Sequence, residues 1–420
     1  MPSCIVPPFR RGQSYAKYGP TIDVNGAPTI AGAVRRRPAP ALVVLALLGF
    51  IGLGLPEGAR GVVWPSMRAT FGRPVSQLGV LLASYTAGYL VASVATGRLT
   101  RALGTGRLLA AGATVSAAGF AACALSPAWA GVVAGSGLIG TAAGVIDAGL
   151  NAYVAEHLGV RALNGLHACF GVGATLGPLL VTGLLHADAS WRVVYVLLFA
   201  FEAGLAIAFF STRAVWTTSP ATEPAAPDRP TVLVVLAMLV FFVYVGIEAS
   251  AGQWSYSLFT EQRGMSTGAA GVWVGAYWAC LTAGRLLAGL VAHRVGSRVL
   301  LNSSMTGTAV GTALIWWSPA PVVGALGLAV TGLSLAAIFP TLIAITPTRL
   351  GVERARSAIG YQVAAAALGG AVVPGLAGVL AAHWSLEVVG PLLVVATGVM
   401  IVLHATAQRV SARLSAPPVL

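Results

Sequence analysis

Residues 72–104 read GRPVSQLGVLLASYTAGYLVASVATGRLTRALG, and residues 264–296 read GMSTGAAGVWVGAYWACLTAGRLLAGLVAHRVG. The second stretch lies over the first without a gap, at a constant offset of 192 positions. Gly72 falls on Gly264, Gly79 on Gly271, Tyr85 on Tyr277, Gly97 on Gly289 and Gly104 on Gly296. The register continues outward: Gly140 meets Gly332, and Leu158-Gly159-Val160 meets Leu350-Gly351-Val352. One residue shorter in offset, Glu57 meets Glu248 and Gly61 meets Gly252. The chain is one unit written twice.

Each copy is built of apolar runs. Of the 420 residues 57% are hydrophobic and only 9% charged, against roughly 25% charged in a soluble domain. The mean hydropathy is +0.83. Apolar stretches fall near 41–67, 78–97, 107–126, 131–155, 164–185, 191–212, 231–258, 270–289, 299–317, 321–346, 357–382 and 387–407. A helix needs ~20 residues to cross ~30 Å of hydrocarbon, and these runs approach or exceed it. Barrel strands are ~10 residues of alternating polarity, whereas these runs are continuous. The expectation is an all-α membrane protein of twelve transmembrane helices in two six-helix bundles. The 52 glycines fit it, because small residues let membrane helices approach closely.

The net charge of +13 raises the question of a nucleic-acid partner, and its placement answers it. With the N-terminus inside, nineteen of the 25 Lys and Arg residues fall in the tails and even-numbered connections. Arg60, Arg68, Arg73, Arg192 and Arg263 lie toward the other side. Retention of positive loops in the cytoplasm explains this asymmetry, so both termini are expected there and no nucleic acid is implied. Because the offset preserves the side of every loop, each repeat holds an even number of spans, and the repeats are parallel, about an axis along the membrane normal.

The expected division is a disordered cytoplasmic tail at 1–40, a bundle at 41–213, a cytoplasmic linker at 214–230, a second bundle at 231–408 and a tail at 409–420. No cleavable signal peptide is read at the start. The four cysteines, Cys4, Cys123, Cys169 and Cys280, suggest neither a disulfide framework nor a metal site. No Walker-type loop, hydrolase triad order or HExxH motif occurs, which argues against an ATP-driven pump or an enzyme, and no cofactor is expected. Two rigid bundles on a slack tether can rock about a midplane cavity, so the architecture favours a secondary transporter, read as a monomer in the inner cell membrane.

The loop after the second span reads Gly97-Arg98-Leu99-Thr100-Arg101-Ala102-Leu103-Gly104, and its counterpart reads Gly289-Leu290-Val291-Ala292-His293-Arg294-Val295-Gly296-Ser297-Arg298. Both resemble the G-x-L-x-D-R-x-G-R-R loop of the major facilitator superfamily. Glycines and basic residues are kept, while the acidic position is taken by Arg101 and His293. The resemblance implies that Gly97, Arg101, Gly104, Gly289, Arg294 and Gly296 belong to gating loops. Three further stretches are similar to the fucose:proton symporter and sugar-permease group: Gly140 to Asp147 with Asn151, Leu163 to Gly171 with Gly177-Pro178, and Gly246-Ile247-Glu248 with Gly252-Gln253-Trp254.

An ionisable group within a span costs several kcal/mol, so it needs a partner or a task. Glu57, Asp147, Glu202 and Glu248 are such groups. A buried carboxyl resists ionisation and so exchanges protons nearer neutral pH, which a proton-coupled carrier requires. The symporter relatives carry an acidic pair on the first and fourth spans, which implies coupling or substrate roles for Glu57 and Asp147. Against this, Arg60 sits three residues from Glu57 on the same face and can simply neutralise it. Asn151 shares a face with Asp147. Glu248 mirrors Glu57 in the repeat, and a hydrogen bond to Tyr244 or Ser250 is its structural alternative. Glu202 is expected to pair with a helix neighbour, and Arg285 to snorkel or brace the following loop.

Asn164 and His167 open the fifth span, where a histidine suits a proton relay or a packing hydrogen bond equally. Gln253, Trp254, Tyr361 and Gln362 can hydrogen-bond and stack on a sugar-like solute, with an interfacial belt the alternative for Trp254. Pro65, Pro178, Pro340 and Pro374 are expected to kink spans. The reading is proton-coupled symport of a small polar solute by alternating access. The alternative is a proton antiporter exporting a drug or metabolite, for which Gly173, Gly177 and Pro178 stand without the glycines expected after the proline.

Overall fold

The computed structural model describes residues 39–217 and 231–414. The expected tail through residue 38, most of the linker and the last six residues lie outside the described residues. Thirteen α-helices occur among them and no strand: α1 (Pro40–Thr70), α2 (Leu78–Leu103), α3 (Thr105–Leu125), α4 (Trp129–His157), α5 (Val160–His186), α6 (Trp191–Ser211), α7 (Val232–Ser257), α8 (Thr267–Val295), α9 (Ser297–Trp317), α10 (Pro321–Leu335), α11 (Ile338–Leu350), α12 (Val352–His383) and α13 (Val389–Leu414). α10 and α11 form one passage, Pro321–Leu350, so the passages number twelve, eleven of them long and apolar enough to cross a membrane. The remaining passage, α9, is more polar, and part of that polarity is turned inward. Thr308 and Thr312 are buried and donate to the carbonyls of Ser304 (2.8 Å) and Thr308 (2.9 Å) on their own helix.

The helices outrun the apolar segments. α13 reaches Leu414, past the expected boundary at 408, because a helix needs no hydrocarbon around its last turns once Arg409 and Arg413 can meet water. The break between α10 and α11 has a local cause. Pro340 lacks the N–H that would bond Ala336, and its ring crowds that carbonyl. Pro65, Pro178 and Pro374 instead lie inside continuous helices, as do Pro56 and Pro347.

The repeat seen in sequence recurs in backbone geometry. Six glycines have positive φ: Gly72 and Gly264, Gly104 and Gly296, Gly159 and Gly351, each pair 192 apart. Gly104, Gly296, Gly159 and Gly351 also cap helices at ψ near the extended value, a region closed to side chains. Packing repeats as well. α1 lies on α5 as α7 lies on α12, α2 on α4 as α8 on α10, and α3 on α6 as α9 on α13. Close approach sets these pairs: a Cβ on Gly54 or Gly58 would fall on backbone oxygens of α5, at Phe170 and Ala174.

The two halves, α1–α6 and α7–α13, meet through α5 with α8, α2 with α12, and α1 with α7. Their contacts run from mid-span to one end. Gly61 packs against the Gln253 backbone, a Cβ on Gly79 would lie 3.0 Å from the Gly375 Cα, and Leu179 lies 3.1 Å from the corresponding position on Gly275. Arg68 of α1 pairs with Glu261, which stands in a π-helical turn, Leu258–Gln262, that ends α7. These contacts close the bundle at the end that carries Arg68 and Glu261.

Candidate functional site

Polar side chains converge at mid-span of both halves. On α1, Glu57 and Arg60 are one turn apart and pair through Oε2 and Nη1 at 3.2 Å. The Arg60 guanidinium lies 4.7 Å from the Tyr85 ring centroid on α2. It is 9% exposed, so it stands within the bundle and not toward the far surface as its sequence position suggested. Tyr85 stacks on Tyr89, one turn further along α2. The Tyr89 hydroxyl donates to Asp147 Oδ2 at 2.7 Å, and the Asn151 amide donates to Oδ1 at 2.8 Å. A continuous set of groups thus runs from α1 through α2 to α4.

The second half holds a related set with its counterion moved. Tyr244 donates to the Glu248 carboxylate, and Tyr277, the repeat partner of Tyr85, donates to the Glu248 carbonyl at 2.8 Å. The cation comes from another helix: Arg285 Nη2 of α8 lies 3.5 Å from Glu248 Oε2. Arg285 therefore faces the acid and does not brace the following loop. A buried acid and a cation repay each other's desolvation only in company, which explains the pairing on both sides of the repeat. Of the two hydroxyls anticipated beside Glu248, Tyr244 makes the bond, and the buried Ser250 hydroxyl has no partner among the described residues.

One side chain ties the halves at this level. The Gln253 amide donates to both the Glu57 carbonyl and Glu57 Oε1, each at 3.1 Å. Gln253 is fully buried, and its Oε1 has no partner among the described residues. Glu57 is thus held by a cation from its own helix and an amide from the other half.

The sequence-predicted residues divide by accessibility. Glu57, Asp147, Asn151, Glu248 and Tyr361 are half-buried, while Asn164 and His167 are exposed on the first turns of α5. His167 meets Phe50 edge-on at 5.5 Å and stands within electrostatic reach of Asp147 and Arg285. Three others are closed off. Trp254 is buried and donates to the Pro374 carbonyl at 2.9 Å, packing α7 against α12. It is neither at an interfacial belt nor on an open surface. Gln362 is buried beside Thr346, whose hydroxyl accepts from its amide at 3.2 Å, inside the second half. Glu202 is 2% exposed against α1, where a Cβ on Gly52 would lie 2.6 Å from Oε1, and its Oε2 has no partner among the described residues. At the basic end, Arg101 and Arg294 are exposed and make no ion pair among the described residues.

Sequence reasoning missed Tyr89 and gave Tyr85 no role beyond the repeat. The available signal was a pair of tyrosines at i and i+4 within a span, whose hydroxyls need partners away from water.

The family model described as Major Facilitator Superfamily matches residues 42–255 and 236–418. The glucose/mannose transporter GlcP of Bacillus subtilis (strain 168) is 22% identical over 355 residues, covering 80% of this chain and 86% of that protein. Among solved structures, a bacterial homolog of the human lysosomal transporter Spinster, inward-facing and unoccupied, overlays with a TM-score of 0.73 at 12% identity, over 90% of this chain and 98% of that one. The E. coli fucose:proton symporter FucP, in the outward conformation, overlays with a TM-score of 0.60 at 16% identity, over 87% and 98% of the two chains.

Proposed function

Because the chain belongs to the major facilitator superfamily, and is a multi-pass membrane transporter and not an enzyme, we propose that it carries a small sugar-like solute by alternating access, in symport with protons. The observation that carries this reading is the Glu57–Gln253 contact: an acid at the centre of one half is held by an amide of the other. A proton arriving on Glu57 removes the charge that draws in Arg60 and Gln253. Its loss changes the bond between the halves at the level where a solute would sit. The glucose/mannose transporter and the fucose:proton symporter support the substrate class and the coupling ion.

Asp147, Asn151, Glu248 and Arg285 offer hydroxyl-binding donors and acceptors on both sides of the midline, with Tyr85 and Tyr361 as aromatic faces. Asn164 and His167 line the approach from the basic end, with His167 relaying protons toward Asp147. Gln253 acts as the latch between halves, and Trp254 and Gln362 hold α12 in place. With the basic loops in the cytoplasm of a cell-membrane carrier, the end closed by Arg68 and Glu261 faces outward. The loops at Gly97 to Gly104 and Gly289 to Gly296 then close the cytoplasmic side in the alternate state.

The test is uptake of a panel of labelled sugars into vesicles holding the purified protein. An imposed gradient, acid outside, is expected to drive accumulation of at least one sugar, with alkalinisation of the outer medium as sugar enters. Uptake indifferent to the gradient overturns proton coupling. Acidification of the outer medium as a drug or metabolite leaves, with no sugar moved, overturns symport.

A further inference from the structure

A second cleft stands apart from the central site. It lies at the basic end of the second half, between α9, α11 and α13, with a volume of about 670 Å3. Arg298, Arg349 and Arg409 line it together with Thr348 and Gln408. Arg298 is the second residue of α9 and Arg349 stands in the last turn of α11, with Arg409 near the end of α13. Three separate helices therefore bring a guanidinium to one opening. No carboxylate lines it, and none of the three arginines forms an ion pair among the described residues. Three like charges around one space repel unless an anion fills it.

The form of the opening narrows the choice of anion. Guanidinium groups bind phosphate oxygens two at a time, which makes arginine the side chain suited to this group. Behind the arginines the wall turns apolar, through Leu301 and Ile345. The cleft sits where three helices of the bundle have their ends, beside the basic loops, and basic pockets between helices at headgroup depth take anionic headgroups. We propose that this cleft binds the phosphate of an anionic phospholipid, phosphatidylglycerol or cardiolipin, with the first carbons of its acyl chains against the apolar wall. Such a lipid bridges α9 and α13 to α11, the half-helix that follows the break ahead of Pro340. None of the cleft's residues belongs to the central polar set or to the contacts between halves.

The experiment uses the full chain purified in mild detergent, with retained lipid counted by native mass spectrometry. The wild type is expected to keep phosphatidylglycerol over phosphatidylcholine, and the triple variant R298A/R349A/R409A to lower its retention by about tenfold or more. Arg107→Ala, on the basic end of the other half, leaves retention unchanged. The single reversal Arg409→Glu, at an exposed position, tests the same point should the triple variant fold poorly. It is expected to weaken retention several-fold while circular dichroism keeps its helical signal. Equal retention in wild type and Arg409→Glu, or no preference over phosphatidylcholine, overturns the proposal. Saturable binding of inorganic phosphate to lipid-free protein, without retained phosphatidylglycerol, assigns the cleft to a free anion and overturns the lipid.

Discussion

Asp147 accepts from a phenol on α2 and an amide on its own helix, and one of these two bonds survives its conversion to an amide. That makes Asp147→Asn an informative change: it removes the exchangeable proton while leaving an acceptor oxygen for Tyr89 or Asn151. Gradient-driven accumulation is expected to fall to the level of simple equilibration, while exchange of labelled for unlabelled solute continues. Parallel loss of both, with folded protein retained, would instead mark Asp147 as a substrate contact without a coupling role. The acids were legible because a charge in a 20-residue apolar run has no other reason to be there. Their partners were less so. Arg60 is visible from Glu57 by helical spacing, but Arg285 lies 37 positions from Glu248 and 58 positions separate Tyr89 from Asp147. Only the packing of neighbouring helices brings those together.

At the scale of elements, loop motif and repeat make a sharp contrast between glycines of one motif. Gly104 and Gly296 stand at φ 77 and 81 with extended ψ, where any side chain is strained by ~1–3 kcal/mol. Gly97 and Gly289 lie inside helices with no neighbour within 4 Å of an added Cβ. Gly104→Ala is therefore expected to lower the thermal midpoint of the purified protein, and Gly97→Ala to leave it equal or raise it, since alanine favours a helix by up to ~1 kcal/mol. Equal effects at both positions would refute the assignment of Gly104 to a backbone requirement. The helices themselves were readable from apolar length, and their ends were not. α1, α8 and α12 run several residues beyond the apolar segments because backbone bonding continues after the hydrocarbon stops.

For the whole molecule the question is what keeps one end shut. The Arg68–Glu261 pair is a quarter exposed on both sides, and such pairs contribute ~0.2–1 kcal/mol. Backbone contact at Gly61, where a Cβ would lie 2.6 Å from the Gln253 carbonyl oxygen, admits no side chain at all. Gly61→Leu is thus expected to part the closed end, whereas Arg68→Ala shifts the population only a few-fold. Spin labels at 73 and 262 would record both, as a long-distance component that dominates in Gly61→Leu and stays minor in Arg68→Ala. A larger effect from Arg68→Ala would show that charge and not backbone contact holds the closure. By itself the sequence determined a helical membrane protein of two parallel halves with acids at mid-span, since hydropathy, repeat offset and scarce charges are all local properties of the chain. Tertiary structure alone decided which cation answers Glu248, that Gln253 joins the halves, that Trp254 and Gln362 are packed away, and which contacts close one end. Those depend on which helix faces meet across hundreds of residues, and no periodicity within a span records its neighbour.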